Sequence, residues 1–395
     1  MNPARTRVRK QSRGIVEVAS EFRTAISLHS HTCHSKETLE FLPRYVDFHR
    51  IPVLSRLIRY EVKRYESRNN KTVDFRRAYW TPPVSPAMVL ASETAQIRSG
   101  LGLNALVSIT DHDTIAGPLS LREHAETASI PISVEWTMPF EGNCFHIGVH
   151  SLDPAVSVEV MRELSRYTSQ PAEETLDGLF ALLDSNPETL LVLNHPCCNF
   201  VRVGASKHWS TLRQFLARCR PWIHALEMNG MRPWSENQDV LRLSEEYDIP
   251  IVAGGDRHGC RPNTMLNLSQ GKTWADFVAQ IRDERASDLI VLRTYDEPVR
   301  LRELATAADV LRRYPQHPYG QRRFTDRIFA DVEGYSWHPL SFYWDGGDSA
   351  PNWLLPVVTA VLVLGSDPLR PVLRRFLSLR GPDYSSEASS TLTEN

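Results

Sequence analysis

Seven short apolar runs in this chain each end on, or carry, a polar residue of the kinds that bind metals, and that recurrence constrains the fold more than any other feature. The runs are 25–28, 105–110, 131–135, 144–149, 190–194, 225–228 and 250–253. Each is rich in Ile, Val or Leu with little alternation, the pattern of strands buried on both faces of a parallel sheet. Segments of helical periodicity, such as 173–185 and 236–247, separate several of them, which makes the chain α/β. The connection 136–143 is too short for a crossover helix, so the spacing predicts a distorted barrel and not a regular eightfold one. Pro131 and Pro250 stand at strand starts, where a missing N–H costs least.

The polar residues gather at the C-terminal ends of these runs. His29 and His31 follow the first, and Asp111, His112 and Asp113 follow the second. Glu135 ends the third, His146 lies in the fourth, and Asn194 and His195 close the fifth. Glu227 and Asn229 come with the sixth, and Asp256, Arg257 and His258 with the seventh. In parallel α/β barrels that rim is where functional groups converge. Imidazole and carboxylate are ligands for Zn, Mn or Fe, and a carboxylate can bridge two ions. On a regular strand, residues two apart share a face, so His29 with His31, and Asp256 with His258, can reach one ion. Two or three such ions would clamp a phosphoryl group and acidify a water, so no nucleophilic side chain is required. There is no GxSxG elbow and no Walker phosphate loop, which removes serine-hydrolase and P-loop chemistry.

The stretches SLHSHTCHS, SITDHDTIAG, Glu135 followed by FHIGVH, LNHP and GGDRHG resemble, in order, the motifs of the PHP (polymerase and histidinol phosphatase) family, over roughly residues 25–259. The resemblance implies a distorted (β/α)7 barrel with a dinuclear or trinuclear centre that hydrolyses phosphate esters. It implies one ion on His29, His31, Glu135 and Asp256, a second on Glu135, His146 and His195, and a third on His112 and His258. Asp111 is expected to serve the same chemistry. The chain departs from the family after His31: members commonly carry HTxxSD, and here Lys36 stands where the aspartate falls. Glu37 is the preferred substitute ligand, with His34 as the other. Alternatively the site holds two ions and Lys36 contacts substrate phosphate. Arg202, Arg257 and Arg261 are candidate phosphate binders because a guanidinium forks onto phosphate oxygens, although Arg257, flanked by ligands on both sides, can instead point away from the ions. Glu227 and Asn229 are expected to orient ligands, Asp113 to cap a turn, and Cys197 and Cys198 to be buried hydrophobes.

The expected substrate is a small phosphorylated metabolite or nucleotide. A binding module without turnover and a metallohydrolase acting on C–N or C–O bonds are the other readings. A net charge of -2 argues against a nucleic-acid partner, and of the basic, aromatic-lined groove that a nuclease would want only the 56–68 helix gives a hint. The six cysteines follow no disulfide or zinc-knuckle spacing, and the basic N-terminus lacks the apolar stretch of a secretory signal. The longest apolar run, 353–364, contains Pro356 and is too short to span a bilayer, so no membrane partner is expected. A cytoplasmic location follows.

Four regions are expected along the 395 residues: an arm (1–20), the metal-binding barrel (21–296), a mainly helical extension (297–380) and a disordered Ser/Thr/Glu-rich tail (381–395). Residues 40–82 form a helical insertion after the first strand. It contains FLPRYVDFHR and a helix made basic by Arg56, Arg59, Lys63, Arg64 and Arg68, either a solvated face or an anion-attracting lid.

Overall fold

The computed structural model describes residues 3–11, 16–39, 52–70, 74–331, 336–344 and 354–378. The expected helix over 41–50 and the expected tail 381–395 lie outside these residues. The chain is mixed α/β, with a ten-stranded sheet flanked by helices and a second sheet of four strands. The large sheet uses β1 (Arg5–Lys10), β2 (Thr24–Ser30), β5 (Asn104–Val107), β6 (Ile132–Phe140), β7 (Asn143–Leu152), β8 (Leu190–Asn194), β9 (Ala225–Asn229), β10 (Ile251–Arg257), β11 (Met265–Ser269) and β12 (Ala286–Val291). The small one uses β3 (Glu37–Thr38), β4 (Ala78–Trp80), β13 (Ile328–Ala330) and β14 (His338–Pro339). The large sheet runs in the order β1-β12-β11-β2-β10-β9-β8-β7-β6, with β5 beside β2. One parallel bridge, His112 to Glu135, links the segment after β5 to β6.

All seven apolar runs lie in this sheet, but not all are parallel. β7 runs antiparallel to both β6 and β8. The short third connection is a hairpin whose two turn residues, Glu141 (φ 49°) and Gly142 (φ 69°), take the positive φ that matches strand twist. Residues 5–10, expected in a free arm, instead form an edge strand parallel to β12. The insertion is helical over Pro52–Asn69 but ends in strand β4, and the helical C-terminal extension contributes β13 and β14.

Strand alternation separates two apolar layers. Leu191, Leu193, Leu226, Met228, Ile251 and Ala253 face the helices Ser157–Ser169, Glu173–Asp184, Ala205–Cys219 and Trp234–Tyr247 in the larger core. Ile26, Leu28, Val192, Ala225 and Val252 form an inner face closed by Phe277, Val278 and Ile281 of helix Trp274–Arg282. Each fully buried aliphatic side chain here contributes about 1.5–3 kcal/mol of transfer free energy. Towards the C-terminal ends the inner positions become polar: Ser108, Ser133, Glu135, His150, Asn194 and Glu227, all buried. That change of chemistry along one face is what positions the site.

Glycine makes room for it. A Cβ at Gly254 would lie 1.5 Å from Glu227 Oε1, and both oxygens of Glu227 are already committed to neighbours. Gly254→Ala should therefore lower stability by about 1–3 kcal/mol or more in urea unfolding, as overpacking does; an unchanged midpoint would mean that the carboxylate can move aside.

Candidate metal centre

Glu135 lies at the middle of the site. It is completely buried, and imidazoles surround both its oxygens. Oε2 stands 3.0 Å from His29 Nε2, 3.2 Å from His31 Nε2 and 3.4 Å from His112 Nδ1. Oε1 stands 3.2 Å from both His146 Nδ1 and His195 Nε2, and accepts from Asn194 Nδ2 at 3.0 Å. Burial alone would raise its pKa; the imidazoles of His29, His112 and His146 outweigh that and hold it well below the usual carboxylate range.

Three groups of side chains each bring their donor atoms within 4.8 Å of one another. An inner group is His29, His31 and Glu135; a second is His112, Glu135 and His146; an outer group is His31, Glu37, His112 and His258. Asp256 Oδ1 lies 3.5 Å from His31 Nε2 and 3.6 Å from His29 Nε2, beside the inner group. Glu37 Oε2 lies 3.2 Å from His258 Nε2 and 3.4 Å from His112 Nε2. His34 stays outside these groups, its ring edge against Tyr319. His112, His146 and His258 keep 12–17% of their side-chain exposure, whereas His29 and His31 keep almost none, so the site opens on the outer side. Phe200 stacks 4.3 Å from His146 and Trp80 lies 5.8 Å from His258, walling two sides.

The backbone reaches this arrangement partly by leaving strand geometry. His29 (φ 63°), His195 (φ 29°) and Asp256 (φ 53°) all have positive φ, a costly conformation for residues other than glycine that clusters at functional sites. At His29 the inner–outer alternation of β2 shifts phase. Ile26 and Leu28 are inner, Ser27 bonds Glu93 on the outer side, and Ser27 and Ser30 both meet the same amide, Asn263 Nδ2. His29 and His31 thus converge through a left-handed residue and not through plain strand periodicity, their Nε2 atoms 3.1 Å apart. β10 absorbs one extra residue against β2 between Gly254 and Arg257, a bulge that carries Asp256.

Buried partners fix the rings. Glu227 Oε1 lies 2.5 Å from His29 Nδ1, leaving Nε2 for the cluster, while Oε2 accepts from His195 N and Asn229 Nδ2. His258 Nδ1 lies 2.9 Å from the carbonyl of Asp256, which turns its Nε2 to Glu37. His112 is raised to about 9 because Glu37 and Glu135 together outweigh burial. His146 falls to about 4 because burial wins over Glu135.

Four of the expected site residues lie apart from the imidazole cluster. Asp111 does not join the cluster: its oxygens accept from Thr32 N (2.5 Å) and Thr32 Oγ1 (2.8 Å), so it shapes the loop after β2. Arg257 points away from the site, where Nη1 donates to Glu93 Oε1 (2.6 Å) and Ser92 Oγ (2.8 Å). Arg261 is on the surface in an ion pair with Asp367. Lys36 lies over the Tyr79 ring, 5.4 Å from its centroid, turned to the small sheet. Arg202 is exposed on the loop that carries Phe200. Asp113 accepts from Thr137 N at 2.8 Å, and burial raises Cys197 and Cys198, the latter to about 12.

One residue had no motif to announce it. Arg232, after β9, approaches Asp256 Oδ2 at 3.7 Å and Glu236 Oε1 at 3.8 Å, both beyond hydrogen-bonding range, and its buried Nε has no hydrogen-bond partner. A cleft of about 1180 Å3 lies elsewhere, among Arg5, Arg23, Lys272 and Asp288 near the opposite strand ends, and no histidine lines it.

No protein-family model matches the chain, and no curated protein matches it. Solved structures overlap part of it. PsfC from Pseudomonas syringae is 15% identical, over 54% of this chain and 86% of that one, with a TM-score of 0.36. A candidate metal-dependent phosphoesterase from Bifidobacterium adolescentis is 16% identical, over 52% and 92%, with a TM-score of 0.30. An amidohydrolase from Chromobacterium violaceum, with bound sulfate and no metal, is 15% identical, over 45% and 84%, with a TM-score of 0.30. TM-scores this low describe a partial overlap of strands and helices and assign no chemistry.

Glu93 and Arg257 form a fully desolvated ion pair, so removing one partner strands the other. Glu93→Gln should cost about 3–5 kcal/mol in chemical denaturation. Arg257→Lys should likewise lower stability in chemical denaturation; an unchanged midpoint would mean that the pair contributes nothing to the fold.

Proposed function

We propose that the chain is a metal-dependent hydrolase of phosphate esters, acting on a small phosphorylated metabolite or nucleotide. The observation that carries this reading is Glu135, a buried carboxylate faced by five imidazoles, with Oε2 lacking any hydrogen-bond partner. His112 Nδ1, beside it, is likewise buried without one. Unsatisfied buried donors and acceptors are costly in a native protein, and mixed nitrogen and oxygen atoms suit Zn, Mn or Fe. The residues therefore fit two or three divalent ions. His29, His31 and Glu135, with Asp256 alongside, would hold one. Glu135, His146 and His195 would hold a second. Glu37, His112 and His258 would hold a third.

Bound there, divalent ions supply Lewis-acid stabilisation of phosphoryl charge and a water acidified towards neutral pH. The chain's own groups do the rest. Glu227 locks His29 in the tautomer that presents Nε2, Asn194 steadies Glu135, and Phe200 and Trp80 shield the mouth from bulk water. Arg232 would take a substrate oxyanion, since its guanidinium stands at the edge of the cluster with Nη2 3.7 Å from Asp256 Oδ2. We read β2 and β5 to β10, joined by the bridge from His112 to Glu135, as the seven strands of a distorted (β/α)7 barrel of the PHP type.

Elemental analysis joined to a screen of phosphomonoesters and phosphodiesters tests this. The purified protein should hold two or three ions, lose hydrolysis on chelation and regain it on re-addition. His29→Ala with His31→Ala should lose metal while keeping its far-ultraviolet circular dichroism; a wild type that binds no metal would sink the reading. Arg232→Ala should lower kcat/KM on phosphate esters about 10- to 100-fold, the worth of a charge-assisted hydrogen bond, without lowering metal content.

A further inference from the structure

Glu37 is the only carboxylate of the outer group, yet the strand that carries it has two residues. β3 pairs with β4 through Glu37 opposite Trp80 and Thr38 opposite Tyr79, extended by Leu39 N donating to Ala78 O at 3.0 Å. So short a pair has almost no stability of its own. What fixes β4 comes from far along the chain. Its other edge is covered by β13, with Ile328 opposite Trp80, Phe329 opposite Tyr79 and Ala330 opposite Ala78.

That second pairing is the stronger. Thr81 N donates to Arg327 O (2.9 Å) and Asp331 N to Arg77 O (3.0 Å), while Arg77 and Asp331 form an ion pair at 2.8 Å. Tyr79 stacks on Phe329 with ring centroids 4.8 Å apart. β13 is itself anchored: Arg327, fully buried, donates to the carbonyls of Val310 (2.6 Å), Arg312 (2.5 Å) and Gln321 (2.7 Å). Cross-strand partners share a face, so Glu37, Trp80 and Ile328 stand in one row across the sheet. Trp80 in that row walls His258, and Glu37 meets both His258 and His112.

We propose that the C-terminal segment from Arg327 to Asp331 is a working part of the metal centre: through β4 it positions Glu37 and so builds the outer ion site. This rests on the metal-dependent reading above. A merely structural extension would affect stability and leave metal content alone. In this arrangement the outer ion depends on residues some 290 positions along the chain from its ligand, while the inner ions do not.

The bonds at Thr81–Arg327 and Asp331–Arg77 make Phe329 and Tyr79 the hydrogen-bonded pair between them, so Phe329→Pro deletes a rung of the ladder. The full chain is saturated with Mn, dialysed at fixed free Mn, and its bound metal counted by mass spectrometry. Wild type should hold three ions, and Phe329→Pro and Glu37→Gln two each, the double variant losing no more than either. As a gentler variant, Arg77→Ala with Asp331→Ala should weaken only the weakest site, by about 10- to 100-fold in a calorimetric Mn titration. A wild type with no ion sinks the underlying reading. A saturated wild type with only two ions, or three ions retained by Phe329→Pro, overturns this proposal; if Phe329→Pro does not fold, an unchanged titration of the gentler variant does so.

Discussion

A carboxylate buried without counter-charge is among the least tolerable features a protein interior can hold, and Glu135 is buried completely at the centre of this chain. Everything around it answers that constraint. Five imidazoles from four separate segments point at its two oxygens, with Glu227 beside His29, Ser35 beside His31 and Phe200 beside His146. Satisfied by imidazolium alone, the cluster would need several cations packed within a few ångströms, where they repel. Divalent ions would resolve that conflict, and on that ground we read the cluster around this one glutamate as a metal centre.

The sheet delivers these groups by a gradient of chemistry along its inner face. Ile26, Leu28, Val192, Ala225 and Val252 are apolar at one level, closed by Phe277. Ser108, Ser133 and His150 follow, then Glu135, Asn194 and Glu227. His150 is held neutral there, burial lowering it to about 3, so it serves as a hydrogen-bonding partner to Ser108. Above that layer regular alternation no longer suffices, and His29, His195 and Asp256 adopt positive φ. The backbone cost is concentrated where the cluster is assembled, and the buried Glu93–Arg257 pair and the loop-shaping Asp111 lie directly behind it.

Much of the cluster was legible in the sequence. The convergence of strand ends grouped the histidines and acids that close the apolar runs, although the two-residue period that paired His29 with His31 is not how those rings meet. Roles that depend on direction were not legible. Arg257 sits between Asp256 and His258, which left open that it points away, but its partner Glu93 lies in a distant helix that no local pattern indicates. Lys36 occupies the place of a familiar ligand and turns onto Tyr79. Asp111 adjoins His112 yet bonds Thr32. Arg232 carries no motif, because its place beside Asp256 is created by a loop. Likewise, a tight turn at Glu141 and Gly142 made β7 antiparallel where a parallel run was expected.

The sequence by itself determined that this is an α/β chain with a nitrogen- and oxygen-rich cluster at one rim, because residue type and two-residue periodicity are local properties. Only the tertiary structure decided which side chains share that cluster. The phase shift at His29, the bulge at Asp256 and the outward turn of Arg257 depend on neighbouring strands. The support of Glu37 by β4 and β13 depends on pairing across some 290 residues, which no local pattern encodes.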